Sequence, residues 1–342
     1  MSAGSVWRLL GRLLGVGSER NMSGRIRSAA LGVAAVISAI ALASCSSSPS
    51  AAPASPISNT GFDVKTNGFS FQNYGNEPGV KNLEANDLQK IFGDAVCTRT
   101  AEGSCVLSPS ATQWLQVNND GMSGGHCFGM AAVAWSMFKN SLKPPDFGGA
   151  NANALALNDN TKLQQQIAAA FVTQDTDPTS STQRSYAPKD LVNALQQGWG
   201  EGKGYVLGFF KLVDGKKTAG HGVTPIAVTD LPEGKKAVEI YDNNFPNETK
   251  QIVVDPATNT STYTTAANPG EPADVYAGSE GNPFVLFDAA STLQTQTCPF
   301  CLPGASSSPT AGNGVGAADS TGAPGAYNAV YLNQAAAGKG IV

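Results

Sequence analysis

An α+β fold is predicted by three features of this 342-residue chain. Apolar residues recur at helical spacing in several stretches before residue 196. From Tyr205 onward they gather instead into short runs rich in β-branched and aromatic side chains. No linker-like break or internal repeat divides the two regions, so helices followed by an antiparallel sheet form one domain.

The first 44 residues stand outside that domain. Arg25 and Arg27 precede an apolar run from Ala29 to Leu42, which ends in Ala43, Ser44 and Cys45. A basic start, a short apolar run and small residues at its end describe a secretory signal. The run falls short of the ~20 apolar residues that span a bilayer. Met22 begins a signal of ordinary length, which leaves residues 1–21 as an upstream extension. Leu42-Ala43-Ser44-Cys45 resembles the lipidation motif of bacterial lipoproteins. That resemblance implies a lipid on Cys45 and a mature chain held on the extracytoplasmic face of the cell membrane. The plainer alternative is a cleaved signal with Cys45 a spare thiol. Residues 45–62, rich in Ser, Pro and Ala, lack the apolar content to fold and read as a tether. Residues 63–303 form the domain, and residues 304–342 read as a flexible Gly/Ala/Ser-rich tail with Tyr327 and Tyr331 its only aromatics.

Removal of residues 1–44 takes five of the 22 basic side chains and one of the 26 acidic ones, leaving 17 against 25 and a formal charge of −8. No basic patch stands out, so nucleic acid is not an expected partner.

Within the domain the helices come first. Asn86-Asp87 opens a run through Leu88, Ile91 and Phe92 that Gly93 stops. Ser108-Pro109 sets a capping hydroxyl before a first-turn proline, ahead of Trp114, Leu115 and Val117. A third helix runs from Cys127 to Phe138, with Cys127, Met130, Ala131, Ala134 and Phe138 on one apolar face. Leu163, Ile167, Ala170 and Phe171 mark a fourth, and Pro188 starts a fifth bearing Leu191, Val192 and Leu195. The strands follow at 205–212, 221–229, 237–242 and 251–254, with one more at 284–287. Asp-Gly, Pro-Glu-Gly and Asn-Asn-Phe-Pro turns separate the first four.

The chain has six cysteines. In an exported protein disulfides are expected where geometry permits. Cys97 and Cys105 flank a turn-like segment and can close a small loop. Cys298-Pro-Phe-Cys301 lies in a Gln/Thr/Pro stretch, not between a strand and a helix. It therefore reads as a local staple, or as bridged to the other pair, more than as a redox site. A zinc site built from the four sulfurs is the alternative that export disfavours; no metal and no cofactor is expected. Cys127 is left over.

Gly124-Gly125-His126-Cys127 brings the chain tightly into the third helix, and Cys127 falls in its first turn. Unpaired amides and the helix dipole there favour a thiolate. The bland alternative is a small apolar residue in a buried helix. A thiolate nucleophile wants an imidazole. His126 is adjacent in a helix, where neighbouring side chains diverge by about 100°. It is therefore read, with Gly125, as lining the cleft or capping the helix start. His221 opens a strand between two glycines that leave room for a substrate backbone; otherwise it is a surface residue. On the next strand Val238, Ile240 and Asp242 share the buried face, so Asp242 emerges at the core edge and can orient a histidine on the neighbouring strand. Asn243 points away unless the strand bulges, and both residues also suit a turn.

A cysteine at a helix start, a histidine at a strand start and an Asp or Asn ending the next strand, in that order, resemble the papain-like cysteine-peptidase superfamily. His-Gly-Val-Thr-Pro-Ile-Ala-Val with Ile-Tyr-Asp-Asn-Asn-Phe-Pro is similar to its C39-like branch. The resemblance covers roughly residues 119 to 246. It implies a papain-like fold with Cys127 as nucleophile, His221 as general base and acid, and Asp242 as orienting residue. Such relatives commonly carry a glutamine about six residues before the nucleophile as an oxyanion donor, where this chain has Gly121; Gln116 or Asn119 are the candidate substitutes. The Cys-Gly-Ser-Cys-Trp signature is also absent. The implied activity is hydrolysis of a peptide or isopeptide bond, on a peptide or cell-wall-derived substrate. Transglutaminase-like acyl transfer and a non-catalytic surface-binding lipoprotein are the rival readings.

Overall fold

A computed structural model describes residues 56–101 and 104–301. The signal, Cys45, most of the tether and the tail lie outside the described residues. The helices start where their local signals place them. Helix α1 (Val64–Asn67) is capped by Asp63. Helix α2 (Ala85–Phe92) opens on a reciprocal box between Glu84 and Asp87. Helix α3 (Pro109–Gly121) has the Ser108 hydroxyl on the Ala111 amide and proline in its first turn. Helices α4 (Cys127–Phe138), α5 (Thr161–Val172) and α6 (Pro188–Gly200) follow.

Eleven strands complete the fold: β1 (Pro56–Asn59), β2 (Cys97–Ala101), β3 (Ser104–Leu107), β4 (Arg184–Tyr186), β5 (Tyr205–Val213), β6 (Lys216–Asp230), β7 (Lys236–Tyr241), β8 (Thr249–Asp255), β9 (Thr260–Thr265), β10 (Asp274–Gly278) and β11 (Phe284–Asp288). Strands β2 and β3 make a separate hairpin, and the rest form one sheet in the order β10-β9-β8-β7-β6-β5-β11-β4. Every pairing in it is antiparallel. The chain is therefore α+β, as its patterning predicts.

Strand β6 organises the sheet. Its first half pairs with β5 up to Val223 and its second half pairs with β7 from Thr224 onward. Where β5 stops, β1 takes over the open edge, opposite Ala227 to Thr229. The tether is thus shorter than its composition suggests, because Pro56–Asn59 folds through main-chain pairing, which needs no apolar side chains; Ile57 stays exposed. At the far end β10 lies against β5 as well as β9, so β5 to β10 curl round on themselves.

Both faces of the sheet are covered. One face, with Phe210, Ile226, Tyr241 and Phe287, packs on α4 and α5. The other, with Leu207, Phe209, Val223, Val238, Ile240 and Tyr263, is closed by α6. Sandwiched between β6 and α5, α4 is buried from Cys127 to Met137, not along one face only. Glycine makes the contact possible: a Cβ at Gly129 would stand 2.1 Å from the Ile167 carbonyl oxygen, and one at Gly222 would stand 3.2 Å from the Phe128 Cα. Gly222 therefore makes room for α4, not for a substrate backbone. A third, smaller core joins α2, α3 and the C-terminal residues Cys298 to Cys301. Disulfides Cys97–Cys105 and Cys298–Cys301 both lie there, each pair closed locally.

Candidate active site

Asp242 follows the last residue of β7 and keeps the phase of Val238 and Ile240. His221 shares the phase of Val223 on β6. Both side chains therefore face the same way and meet: His221 Nε2 donates to Asp242 Oδ1 at 2.7 Å, with both residues fully buried. A buried carboxylate needs every lone pair met, and Asp242 is well supplied. Tyr263 donates its hydroxyl to Oδ2 at 2.6 Å, Thr265 donates to Oδ2 at 3.1 Å, and the Asn244 amide donates to Oδ1 at 2.8 Å. Burial alone would raise the Asp242 pKa; the imidazole and these donors outweigh it and hold it below its ordinary value.

Cys127 begins α4 and is 3% exposed. It is the one free cysteine among the described residues. His221 Nδ1 makes no well-formed hydrogen bond. The Cys127 thiol is among the groups that act on the charge of the ring, and with Nε2 held by Asp242, Nδ1 is the nitrogen left free. Burial would depress the His221 pKa, but Asp242 first and Cys127 second reverse this and lift it to about 10. An imidazole fixed through one nitrogen, with its other nitrogen open beside a thiol, can take the thiol's proton and later return it.

Asn243 does face away from Asp242, as alternation requires, and there it reaches α4. Its Nδ2 donates to the Cys127 carbonyl at 3.0 Å and to the Gly222 carbonyl at 3.0 Å. One side chain thus ties the backbone of the cysteine to the residue after the histidine. Alternation gives the direction of Asn243 but not its partners, and neither Tyr263 nor Thr265 stands out in the sequence. The alternation of Thr260–Thr265 is carried by threonines, a serine and one tyrosine, so it lacks the apolar signature of a half-buried strand.

The other expectations fare differently. His126 occupies the N-cap position of α4, but its side chain makes no capping bond and turns into the core instead of lining a cleft. It is fully buried, stacked on Tyr74 at 4.2 Å, with Nδ1 on the Tyr74 carbonyl at 2.7 Å and Nε2 on the Asn82 side-chain amide at 2.9 Å. Burial pulls its pKa down to about 4 against the pull of that carbonyl. Gly125 (φ +113°) is open to no cleft either; Asn73 and Asn268 press against the place of its missing Cβ. Gln116 is exposed on α3. Asn119 spends both ends of its amide on Leu83, donating to its carbonyl at 2.9 Å and accepting from its N–H at 3.2 Å.

Compared with family models, with curated proteins and with solved structures, the chain finds no significant match. No group of three or more His, Cys, Asp or Glu among the described residues is placed to hold a metal ion. No helix among them is long and apolar enough to cross a membrane.

Proposed function

We propose that this chain is an exported, lipid-anchored thiol hydrolase of papain-like type, cleaving peptide or isopeptide bonds in the cell envelope. The observation that carries the reading is the open Nδ1 of a carboxylate-held imidazole beside a lone thiol at a helix start. His221 takes the Cys127 proton; the sulfur attacks a carbonyl carbon; the imidazolium then protonates the departing amine. Water, deprotonated by the same ring, releases the acyl group. Asp242 keeps the ring in one orientation and stabilises its charged form. Anchoring rests on Cys45, with the short tether holding the domain off the bilayer. The enclosure of the thiol favours a second reading, a binding lipoprotein that has this constellation without turnover.

The two are separated by trapping. Full-length protein treated with an activated ester is expected to carry an acyl group on Cys127, detected by mass spectrometry of its peptides. Cys127→Ala removes the adduct, and His221→Ala slows its formation by at least about 10²-fold. No adduct, with iodoacetamide labelling of Cys127 equally slow in wild type and His221→Ala, selects the binding protein. Release of fragments from cell-wall peptides, compared with protein substrates, then assigns the substrate.

A further inference from the structure

The thiol and imidazole have no side-chain oxyanion donor among the residues near Cys127 in sequence, yet one stands beside them in space. Asn73 is buried and touches both chain segments of the site. Its backbone N–H donates to the Asn243 carbonyl at 2.8 Å, and its Oδ1 accepts from the His126 N–H, next to Cys127, at 2.8 Å. Because that partner can only donate, the orientation of the amide is set, and Nδ2 must point the other way. There it donates to Asn268 Oδ1 at 2.9 Å and to the Ala267 carbonyl at 3.4 Å. Asn268 Oδ1 lies 2.4 Å and Asn73 Nδ2 lies 2.8 Å from where a Cβ of Gly125 would be. The space kept open by that glycine therefore already holds a carbonyl oxygen, received by an amide donor, two residues before the sulfur. The first amides of α4 have no acceptor within the helix and lie at the same end.

We propose that Asn73 is the side-chain oxyanion donor of this site, working with the Cys127 N–H, and that Ala267 and Asn268 occupy its donor until substrate displaces them. This rests on the reading of Cys127 as a nucleophile. Residues 266–273 join β9 to β10 and are fastened by Asn73, by Asn244 Nδ2 on the Ala266 carbonyl at 2.7 Å and, at the start of β10, by the Lys211–Asp274 ion pair. In this arrangement the segment supplies the oxygens that stand in for a substrate carbonyl. When it lifts, the substrate carbonyl oxygen takes the place of Asn268 Oδ1. As the sulfur–carbon bond forms, the carbonyl electron pair moves to that oxygen and Asn73 Nδ2 stabilises it. The pair returns as the bond to the leaving group breaks.

Two variants of the full-length protein test this, with p-nitrophenyl acetate as acyl donor, p-nitrophenolate release as readout and iodoacetamide as a probe needing no oxyanion donor. Each is compared at a pH where its own alkylation rate has reached its plateau. Asn73→Asp retains the acceptor for the His126 N–H but loses the donor. The ratio of acylation to alkylation is expected to fall about 10²- to 10³-fold. Asn268→Ala removes the nearer of the donor's two acceptors, and acylation is expected to rise about fivefold, the effect of one ordinary hydrogen bond. A wild-type ratio in a folded Asn73→Asp overturns the assignment while the thiol mechanism stands. Should that variant not fold, Asn268→Ala decides, since an unchanged acylation rate overturns the proposal. A wild-type protein that alkylates but never acylates refutes the hydrolase reading and this proposal together.

Discussion

Replacing Asn243 with leucine isolates the link between the α4 start and the sheet. Leucine branches as asparagine does but is bulkier, so no cavity opens, while both bonds from Nδ2 are lost, to the Cys127 and Gly222 carbonyls at 3.0 Å each. Each such bond contributes about 1 kcal/mol net. The two carbonyls also lose a buried donor, so Asn243→Leu is expected to cost about 2–3 kcal/mol. Asn243→Asp has a closer shape and a worse outcome. Its carboxylate would face two carbonyl oxygens with no donor between them, and an unpaired buried charge costs about 3–5 kcal/mol. Urea unfolding monitored by tryptophan fluorescence at neutral pH gives both numbers. The expected order is wild type, then leucine, then aspartate. A loss below about 0.5 kcal/mol for leucine, or an aspartate more stable than the leucine, would refute the clamp, because surface substitutions stay in that range.

Three further outcomes follow from the buried His126 and from two glycines in contrasting surroundings. His126 has a folded pKa of about 4 against an ordinary 6.5, so the unfolded chain takes up its proton first. Stability from this residue is present above 6.5 and is lost as pH falls toward 4, a change of about 3 kcal/mol. Urea midpoints taken between pH 7 and 4 should show this loss in wild type and a shallower one in His126→Gln; equal slopes would contradict it. Gly129→Ala forces a methyl against the Ile167 carbonyl, 2.1 Å away, and should lower stability by about 3 kcal/mol. Gly200→Ala, at a helix end with nothing within 4 Å, should raise it by up to ~1 kcal/mol. Thermal unfolding of the pair checks both signs.

Local chemistry was readable from residues alone. Ser108 with Pro109, and Pro188 at the start of α6, mark helix starts by rules that act within one turn. Strand alternation put Asp242 on the face it occupies, and so anticipated its meeting with His221. What could not be read was set by contacts distant in the chain. Nothing around Asn73 announces that it will lie against Gly125, which is 52 positions later in the chain. His126 looked like a cleft residue because its neighbour is reactive in type. Its fate is decided by Tyr74 and Asn82, which reach it from an earlier loop. Helix α4 hid its environment differently: with Gly129, Ala131, Ala132 and Ala134 among so many apolar residues, it has no polar side to mark as exposed. Strand β10 is only five residues long, buries Tyr276 alone while Val275 is exposed, and is held by pairing with β9.

Both cross-links fall in the smallest core, and the sheet carrying His221 and Asp242 has neither. Phe300, inside the second loop, packs edge-on to Phe92 and tilted against Trp114, so the C-terminal turn is docked onto α2 and α3. A reducing agent would therefore loosen that corner first and leave the imidazole–carboxylate pair in place. Fold integrity and thiol chemistry consequently answer to different cysteines, and a reductant that keeps Cys127 free for reaction acts at the same time on the fastenings of α2 and α3.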